Sequence, residues 1–151
     1  MFERVIVVIP GTTEARDSLA LGSQITRSDG SLLVAHAVES EPAPLTGGPL
    51  AAARRRAQLR DAGEEVYATL GPDERVRYVT LSGAPLAEAV RDLARRERAE
   101  AIVIGQNALA PDGSVSRLLS GAPCVLLVAP VGHRFHGSSS HTRHNGANRA
   151  R

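Results

Sequence analysis

The sequence predicts one α/β domain built on an open, five-stranded parallel sheet with helices on both faces. Apolar runs rich in Val, Ile and Leu alternate with segments of helical periodicity, in the order β-α-β-α-β-α-β-α-β. The runs RVIVVI at residues 4–9 and AIVIG at residues 101–105 are continuous, which is typical of strands buried on both faces. Helical crossovers between such strands favour parallel pairing with right-handed connections.

The five predicted strands are the apolar runs themselves. They cover residues 4–9, 31–38, 75–81, 101–105 and, last in the chain, Cys124–Ala129. The third run, RVRYVTL, alternates apolar and polar residues, which indicates a strand with one more polar face near an edge of the sheet. Sheets of this class bind ligands at the carboxyl ends of the strands, where the strand order reverses. The turns that follow the first, second and fourth strands are therefore the candidate site.

The first two predicted helices are recognised by their ends. Thr12 or Thr13 caps the first helix, which runs to about Ser28, where Asp29-Gly30 stops it. A polar loop rich in Pro and Gly follows the second strand, and the second helix covers about residues 50–70.

The last two predicted helices precede the fourth and fifth strands. The third helix opens at Gly83-Ala84-Pro85, with Pro in its first turn. Its buried stripe at helical spacing is formed by Leu86, Ala89, Val90, Leu93 and Ala94. A short helix is predicted over residues 114–120.

Charge divides the chain into a domain and a tail. Residues 1–130 hold 14 arginines against 16 acidic residues, whereas residues 131–151 hold four arginines and no acid. We expect a folded domain over residues 1–130 and a disordered, basic tail rich in His and Arg over residues 131–151. The domain over residues 1–130 carries no overall positive charge with which to bind nucleic acid. Arg54-Arg55-Arg56 would span about 200° of a helix, so these three residues are interpreted as a solvated face.

Several kinds of chemistry are excluded by residue counts. The chain has no Lys, which rules out a Schiff-base lysine and a P-loop lysine. The single cysteine, Cys124, lies in an apolar run and is expected to be a buried structural thiol. Four of the five histidines lie in the tail at spacings that match no structural zinc pattern, so no metal site is predicted. No signal peptide or apolar stretch of about 18 residues is present, and a cytoplasmic protein is expected.

An ordered set of motifs resembles the universal stress protein family over about residues 3–130. The densest part is GAPLAEAVRDLARRERAEAIVIG followed by GSVSRLLSGAPCVLLVAP, which supplies a Gly-x-Pro helix start, a strand ending in Gly105, the pair Gly113-Ser114, and Ala122-Pro123-Cys124. The resemblance implies a five-stranded parallel fold of the adenine nucleotide alpha hydrolase-like type. It also implies a homodimer formed through the last strand, Cys124–Ala129.

The resemblance also names the residues that would contact ATP if a nucleotide binds. One branch of the family binds ATP through a Gly-x2-Gly-x9-Gly-Ser/Thr pattern and an Asp at the end of the first strand. In this sequence, the nucleotide-binding residues that the resemblance implies are Gly11, Thr12, Val38, Gly105, Gly113, Ser114 and Val115.

The phosphate loop departs from the ATP-binding pattern of the family. Ala108 stands at the second glycine, and seven residues separate the first and final glycines where the full pattern has twelve. Pro111 donates no N–H, Asp112 would repel phosphate, and Pro10 stands where the family has its Asp. We therefore expect no tight ATP binding and no cofactor.

Function follows from the family and from this degenerate loop. The favoured hypothesis is a regulatory, stress-response domain that acts as a dimer through protein contacts. On this hypothesis the protein is not an enzyme and has no catalytic residue, and the identity of its protein partner is unknown. The main alternative is an ATP-binding member that acts as a nucleotide-dependent signalling module. An enzyme of another α/β family would have to use His36, the one histidine of the body, which is better explained as a core residue of the second strand. Nucleic acid and membrane are not expected partners.

Overall fold

The computed structural model of the protein describes residues 1–10, 15–38, 49–82, 85–106, 117–118 and 120–132. These residues form a five-stranded, fully parallel sheet in the order β3-β2-β1-β4-β5. The strands are β1 (Phe2–Pro10), β2 (Thr26–Ala37), β3 (Val76–Leu81), β4 (Ala101–Gly105) and β5 (Val125–Ala129). The helices are α1 (Arg16–Ile25), α2 (Pro49–Leu70) and α3 (Leu86–Glu97). The predicted fold class is confirmed.

The sheet is covered on both faces by two separate apolar clusters. One joins the sheet to α1 and α2, and it contains Val5, Val7, Ile9, Ala15, Leu19, Leu32, Val34, Val66, Ala101, Val103 and Ala129. The other joins the sheet to α3, and it contains Ile6, Val8, Leu33, Ala35, Ala87, Val90, Leu93, Ala94, Ile102 and Leu118. Within β1, alternate residues of the run at residues 5–9 enter opposite clusters, which is why this run is apolar throughout.

The boundary between α1 and β2 differs from the prediction. The helix ends at Ile25, and β2 begins at Thr26, whose hydroxyl donates to the Gly22 carbonyl oxygen at 2.6 Å. Gly30 therefore lies inside the strand and does not stop the helix. A Cβ at Gly30 would lie 2.6 Å from the Glu3 carbonyl oxygen, so this glycine permits close approach of β2 to β1.

The helices α2 and α3 follow their predicted ranges with small differences. In α2, Ala62 and Val66 are buried, whereas Arg54, Arg55 and Arg56 are exposed, as a solvated face requires. In α3 the fully buried residues are Ala87, Val90, Leu93 and Ala94, while the predicted Leu86 and Ala89 are half-buried. The stripe is therefore turned slightly about the helix axis. Of the predicted short helix over residues 114–120, the structure describes residues 117–118, which are helical, and residue 120, which lies in a turn.

Candidate functional site

The candidate site lies where the strand order reverses, between β1 and β4. Successive strands run outward from β1 through β2 to β3, and then the chain crosses back to place β4 and β5 on the other side of β1. The carboxyl ends of β1 and β4 meet at this point, with Val8 paired to Ile104. An open crevice for a ligand is expected there in sheets of this class.

Gly105 ends β4 directly beneath the first turn of α1. A Cβ at this position would lie 2.9 Å from the Ser18 hydroxyl oxygen, which is shorter than real contacts of this kind. The described glycines with positive φ are Gly71 and Gly132, so Gly105 is not required for a left-handed turn. The glycine is needed because α1 packs against the end of β4.

Val38, the second site residue that the structure describes, extends the pairing of β2 with β3. Its backbone N–H donates to the Leu81 carbonyl oxygen at 2.9 Å, and its side chain is buried. Its N–H is thus used by the sheet. The other five predicted site residues, which are Gly11, Thr12, Gly113, Ser114 and Val115, lie outside the described residues.

The start of α1 is held by a carboxylate from a different helix. Ala15 precedes the first helical residue and has no side-chain acceptor with which to cap the helix. Glu65 of α2 supplies a different acceptor at this helix start, because its Oε1 accepts a hydrogen bond from the Ala15 backbone N–H at 3.0 Å. In a capping box, a Glu side chain of the same helix accepts the N–H of the capping residue. Glu65 makes the same kind of contact with Ala15 from 50 positions further along the sequence.

The exit of β5 is tied to the same corner of the sheet. The backbone N–H of Gly132 donates to Oδ2 of Asp17, in the first turn of α1, at 2.9 Å. The neighbouring N–H of Val131 donates to Oε1 of Gln106, the residue after β4, at 3.4 Å. Several described backbone donors around the crevice are therefore bonded to acceptors of the protein itself.

Sequence reasoning missed the acceptors Asp17, Glu65 and Gln106. An acidic residue in the first turn of a helix is a recognisable signal, and it was available for Asp17. Nothing in the sequence marks Glu65 as a partner of Ala15, because the contact depends on how α2 packs against α1.

The described titratable groups near the sheet do not form a reactive set. His36 is buried in β2, as predicted, and its ring centroid lies 6.5 Å from that of Tyr78. Burial raises the pKa of the Tyr78 hydroxyl and that of the Cys124 thiol. Cys124 is half-buried just before β5, rather than fully buried within it. The described residues contain no group of three or more His, Cys, Asp or Glu side chains that could hold a metal ion.

None of the described helices is long and apolar enough to cross a membrane. The sheet order and the helices on both faces define an open, parallel α/β domain. The sequence model of the Universal stress protein family matches residues 1–130. The chain therefore belongs to the universal stress protein family.

Solved structures of universal stress proteins share this fold. One, in complex with cAMP, is 19% identical with a TM-score of 0.59, and the match covers 85% of this chain and 96% of that chain. A protein of this family from Burkholderia pseudomallei is 24% identical with a TM-score of 0.58, over 85% and 96% of the two chains. The universal stress protein from Archaeoglobus fulgidus in complex with dAMP is 16% identical with a TM-score of 0.57, over 83% and 96%. No curated protein matches the chain at a significant level.

Proposed function

We propose that this universal stress protein is a dimeric regulatory domain that acts through protein contacts, without a chemical step and without tight ATP binding. The observation that carries the proposal is the apolar outer edge of β5. Val125 is 48% exposed and Val128 is 42% exposed, and among the described residues no strand pairs with that edge.

An exposed apolar edge strand is a template for pairing with another chain. Edge strands that stay single carry charges, prolines or bulges along the strand, whereas β5 reads VLLVA. Its neighbour Val131 adds a further apolar side chain, 54% exposed, beyond the end of the strand. Pairing of β5 with its copy across a two-fold axis would remove both edges from water, and it is the arrangement that the family resemblance implies.

The proposal that the protein does not bind ATP tightly is supported by hydrogen bonds near the carboxyl ends of β1 and β4. A phosphate cradle needs several backbone N–H groups that converge on the anion. The N–H groups of Ala15, Val38, Val131 and Gly132 are already bonded to acceptors of the protein. The loop between Gly105 and Gly113 is also five residues shorter than the ATP-binding pattern, counted from its seven intervening residues.

The dimer is tested by light scattering on the purified protein. We expect the wild type to be a dimer and Val128→Arg to be a folded monomer, since Val128 points partly to solvent. The matched control is Thr80→Arg on β3, which places the same charge at an exposed position of the opposite edge strand and should leave the dimer intact. A monomeric wild type would overturn the dimer.

Leu126→Arg is expected to behave differently from Val128→Arg. Leu126 is half-buried and packs against the apolar cluster on the α3 face. A charge there would remain without a partner in that cluster, which lowers the stability of the monomer itself. Circular dichroism should therefore show loss of folded structure for Leu126→Arg and retention for Val128→Arg.

The alternative function is adenine-nucleotide binding in the same crevice. It is favoured by the solved universal stress proteins in complex with cAMP and dAMP. If this alternative holds, ATP raises the melting temperature by several degrees at millimolar concentration, and Ser114→Ala abolishes the rise. Calorimetry that gives a low-micromolar or tighter Kd for ATP would replace the first proposal with this one.

A further inference from the structure

The first half of α2 is exposed, although its second half packs against the domain. In the second half, Ala62 and Val66 are buried. Over residues 52–60, by contrast, every side chain is exposed except those of Ala57 and Leu59, which are half-buried. Packing against the sheet therefore does not explain which residues stand in the first half of this helix.

One face of α2 carries two arginines, a glycine and a tyrosine in line. Arg56, Arg60, Gly63 and Tyr67 follow one another at helical spacing, which places them within about 60° of arc. Both arginines are exposed, and Tyr67 is 65% exposed. We call these four residues the α2 stripe. Arg55 lies about 120° from the centre of the stripe and is not part of it.

The two arginines of the stripe form no ion pair with any residue that the structure describes. Elsewhere on the surface such pairs do form, as between Arg77 and Glu97 at 2.7 Å. Residues 49–60 hold four arginines and no acidic residue, whereas the rest of residues 1–130 holds ten arginines and 16 acidic residues. Positive charge is therefore concentrated on this half of α2, and the complementary partner is anionic.

The glycine of the stripe is not required by the packing of this chain. A Cβ at Gly63 would meet no atom within 4 Å, and its φ is not positive. Glycine inside a helix is less favourable than alanine, so its presence there is a cost to stability. Without a Cβ, the backbone of a bound chain can approach the helix closely between Arg60 and Tyr67. Tyrosine and arginine are also the residue types that most often carry binding energy at protein interfaces.

We propose that the α2 stripe binds an extended, acidic segment of a partner protein. Arg56 and Arg60 are separated by about 6 Å along the helix, and alternate side chains of an extended chain are separated by about 6.5 Å. Two carboxylates at alternate positions of the segment can therefore reach both arginines. An apolar residue three positions further would lie over Tyr67, which is about 10 Å beyond Arg60. This inference rests on the proposed function, in which the domain acts through protein contacts, and it names the chemistry of the partner.

A short acidic segment fits the stripe better than a long polyanion does. Outside residues 49–60 the domain holds more acidic residues than arginines, and the exposed Glu64 borders the stripe one turn after Arg60. A nucleic acid or an anionic membrane would bring phosphates against these carboxylates as well as against the arginines. Residues 131–151 of this chain hold four arginines and no acid, so they have the wrong charge to occupy the stripe.

The test is fluorescence polarisation with two labelled peptides. Each carries Glu at two alternate positions and Leu three positions from the nearer Glu, and the two peptides have opposite chain directions. The full-length wild type is compared with Arg56→Glu and Arg60→Glu. The matched control is Arg55→Glu, which makes the same charge change at an adjacent exposed residue outside the stripe. Binding of the peptide to the basic residues 131–151 would be equal in all variants, and circular dichroism first establishes that each variant is folded.

We expect the wild type to bind at least one of the peptides at low salt with a Kd of about 100 μM or tighter. Arg56→Glu and Arg60→Glu should each weaken binding about tenfold or more, because each loses a direct contact and adds repulsion. Arg55→Glu should weaken binding less than about threefold, because salt screens a charge that does not contact the peptide.

The other two residues of the stripe have their own variants. Gly63→Ala should raise the melting temperature and yet weaken peptide binding, because the new methyl group lies where the peptide backbone approaches. Tyr67→Ser should also weaken binding. Leu50→Ser, which removes an exposed apolar side chain of α2 outside the stripe, should leave binding unchanged.

Three outcomes would overturn the proposal. They are a wild type that binds neither peptide, an equal loss of affinity in Arg55→Glu and Arg56→Glu, or a stronger affinity for a single-stranded oligonucleotide or for phosphatidylserine vesicles that the stripe variants abolish. Failure of the proposed function looks different, because the wild type would then be monomeric or would bind ATP tightly, whatever the peptides show.

Discussion

Arg75 binds the carboxylate of Asp73 through two of its nitrogens. Its Nε lies 3.0 Å from Oδ1, and its Nη2 lies 2.6 Å from Oδ2. Through Nη1 the same guanidinium donates to the carbonyl oxygens of Thr26 and Arg27, at 3.2 and 3.1 Å. The pair therefore joins the turn before β3 to the start of β2. Its side chains are only 24% and 18% exposed, so solvent screens this pair less than an exposed one.

Replacement of Arg75 by Lys should destabilise the domain despite keeping the charge. A lysine amine cannot reproduce the planar fork that reaches the carboxylate and two carbonyl groups together. We expect the free energy of unfolding to fall by about 1–3 kcal/mol in urea denaturation, because partly buried acceptors lose their donors. Arg96→Lys, at an exposed position of α3, is the control and should change stability by less than about 0.5 kcal/mol. Equal stability of the two variants would contradict this role of Arg75.

The same pair predicts how stability depends on acid. Hydrogen bonds from the Arg75 guanidinium hold the pKa of Asp73 below its ordinary value of 3.8. A carboxyl whose pKa is lowered by folding stabilises the folded state above its unfolded pKa. That stabilisation is lost as the pH falls through the lower, folded pKa. Between about pH 5 and pH 2 the wild type should therefore lose more stability than Asp73→Asn, measured by thermal unfolding at each pH. Parallel losses in the two proteins would contradict the assignment.

A methyl group at Gly105 should be costly because of Ser18. The Cβ would meet the Ser18 hydroxyl oxygen at 2.9 Å, and relief of that contact needs either rotation of the buried Ser18 side chain or a shift of α1 away from β4. Gly105→Ala is expected to lower the free energy of unfolding by about 1–3 kcal/mol. Ser18→Ala removes the oxygen, so the double variant should recover part of the loss, with a coupling of at least about 0.5 kcal/mol.

Gly63 provides the matched control for Gly105→Ala. It lies within α2, and a Cβ there would meet nothing within 4 Å. Alanine in a helix interior is favoured over glycine by about 0.5–1 kcal/mol, so Gly63→Ala should stabilise the protein. If both substitutions changed stability in the same direction, the contact of Gly105 with Ser18 would not explain the effect.

The fold was predictable from the sequence because a continuous apolar run indicates a strand that is buried on both faces. A run such as residues 4–9 must be covered on both faces, and helical segments between such runs leave few topologies. The boundary at Thr26 was not predictable in the same way. Asp29-Gly30 has the composition of a helix stop, yet Gly30 is required by the close backbone of Glu3, a neighbour in space and not in sequence.

The candidate site was predictable only in its location. The switch point follows from the order of strands, and Gly105 was correctly placed at the end of β4. The long-range partners of the acceptors near it could not be read from local patterns. Glu65 reaches Ala15 across 50 positions, and Asp17 reaches Gly132 across 115, so both contacts depend on the packed structure.

The end of α3 offers a stabilising substitution at Arg98. This residue has φ 52° and ψ 46°, the left-handed conformation, and its N–H donates to the Ala94 and Arg95 carbonyl oxygens. The next N–H, of Ala99, also returns to the Ala94 carbonyl at 2.9 Å, so the helix closes as a left-handed cap. A side chain in this conformation costs roughly 1 kcal/mol, whereas glycine adopts it freely. Arg98→Gly should therefore raise stability by about 0.5–1 kcal/mol in thermal or urea unfolding. Arg98→Ala keeps the Cβ, removes the charge and should not stabilise, so a gain shared by both variants would assign the effect to charge instead of to the backbone.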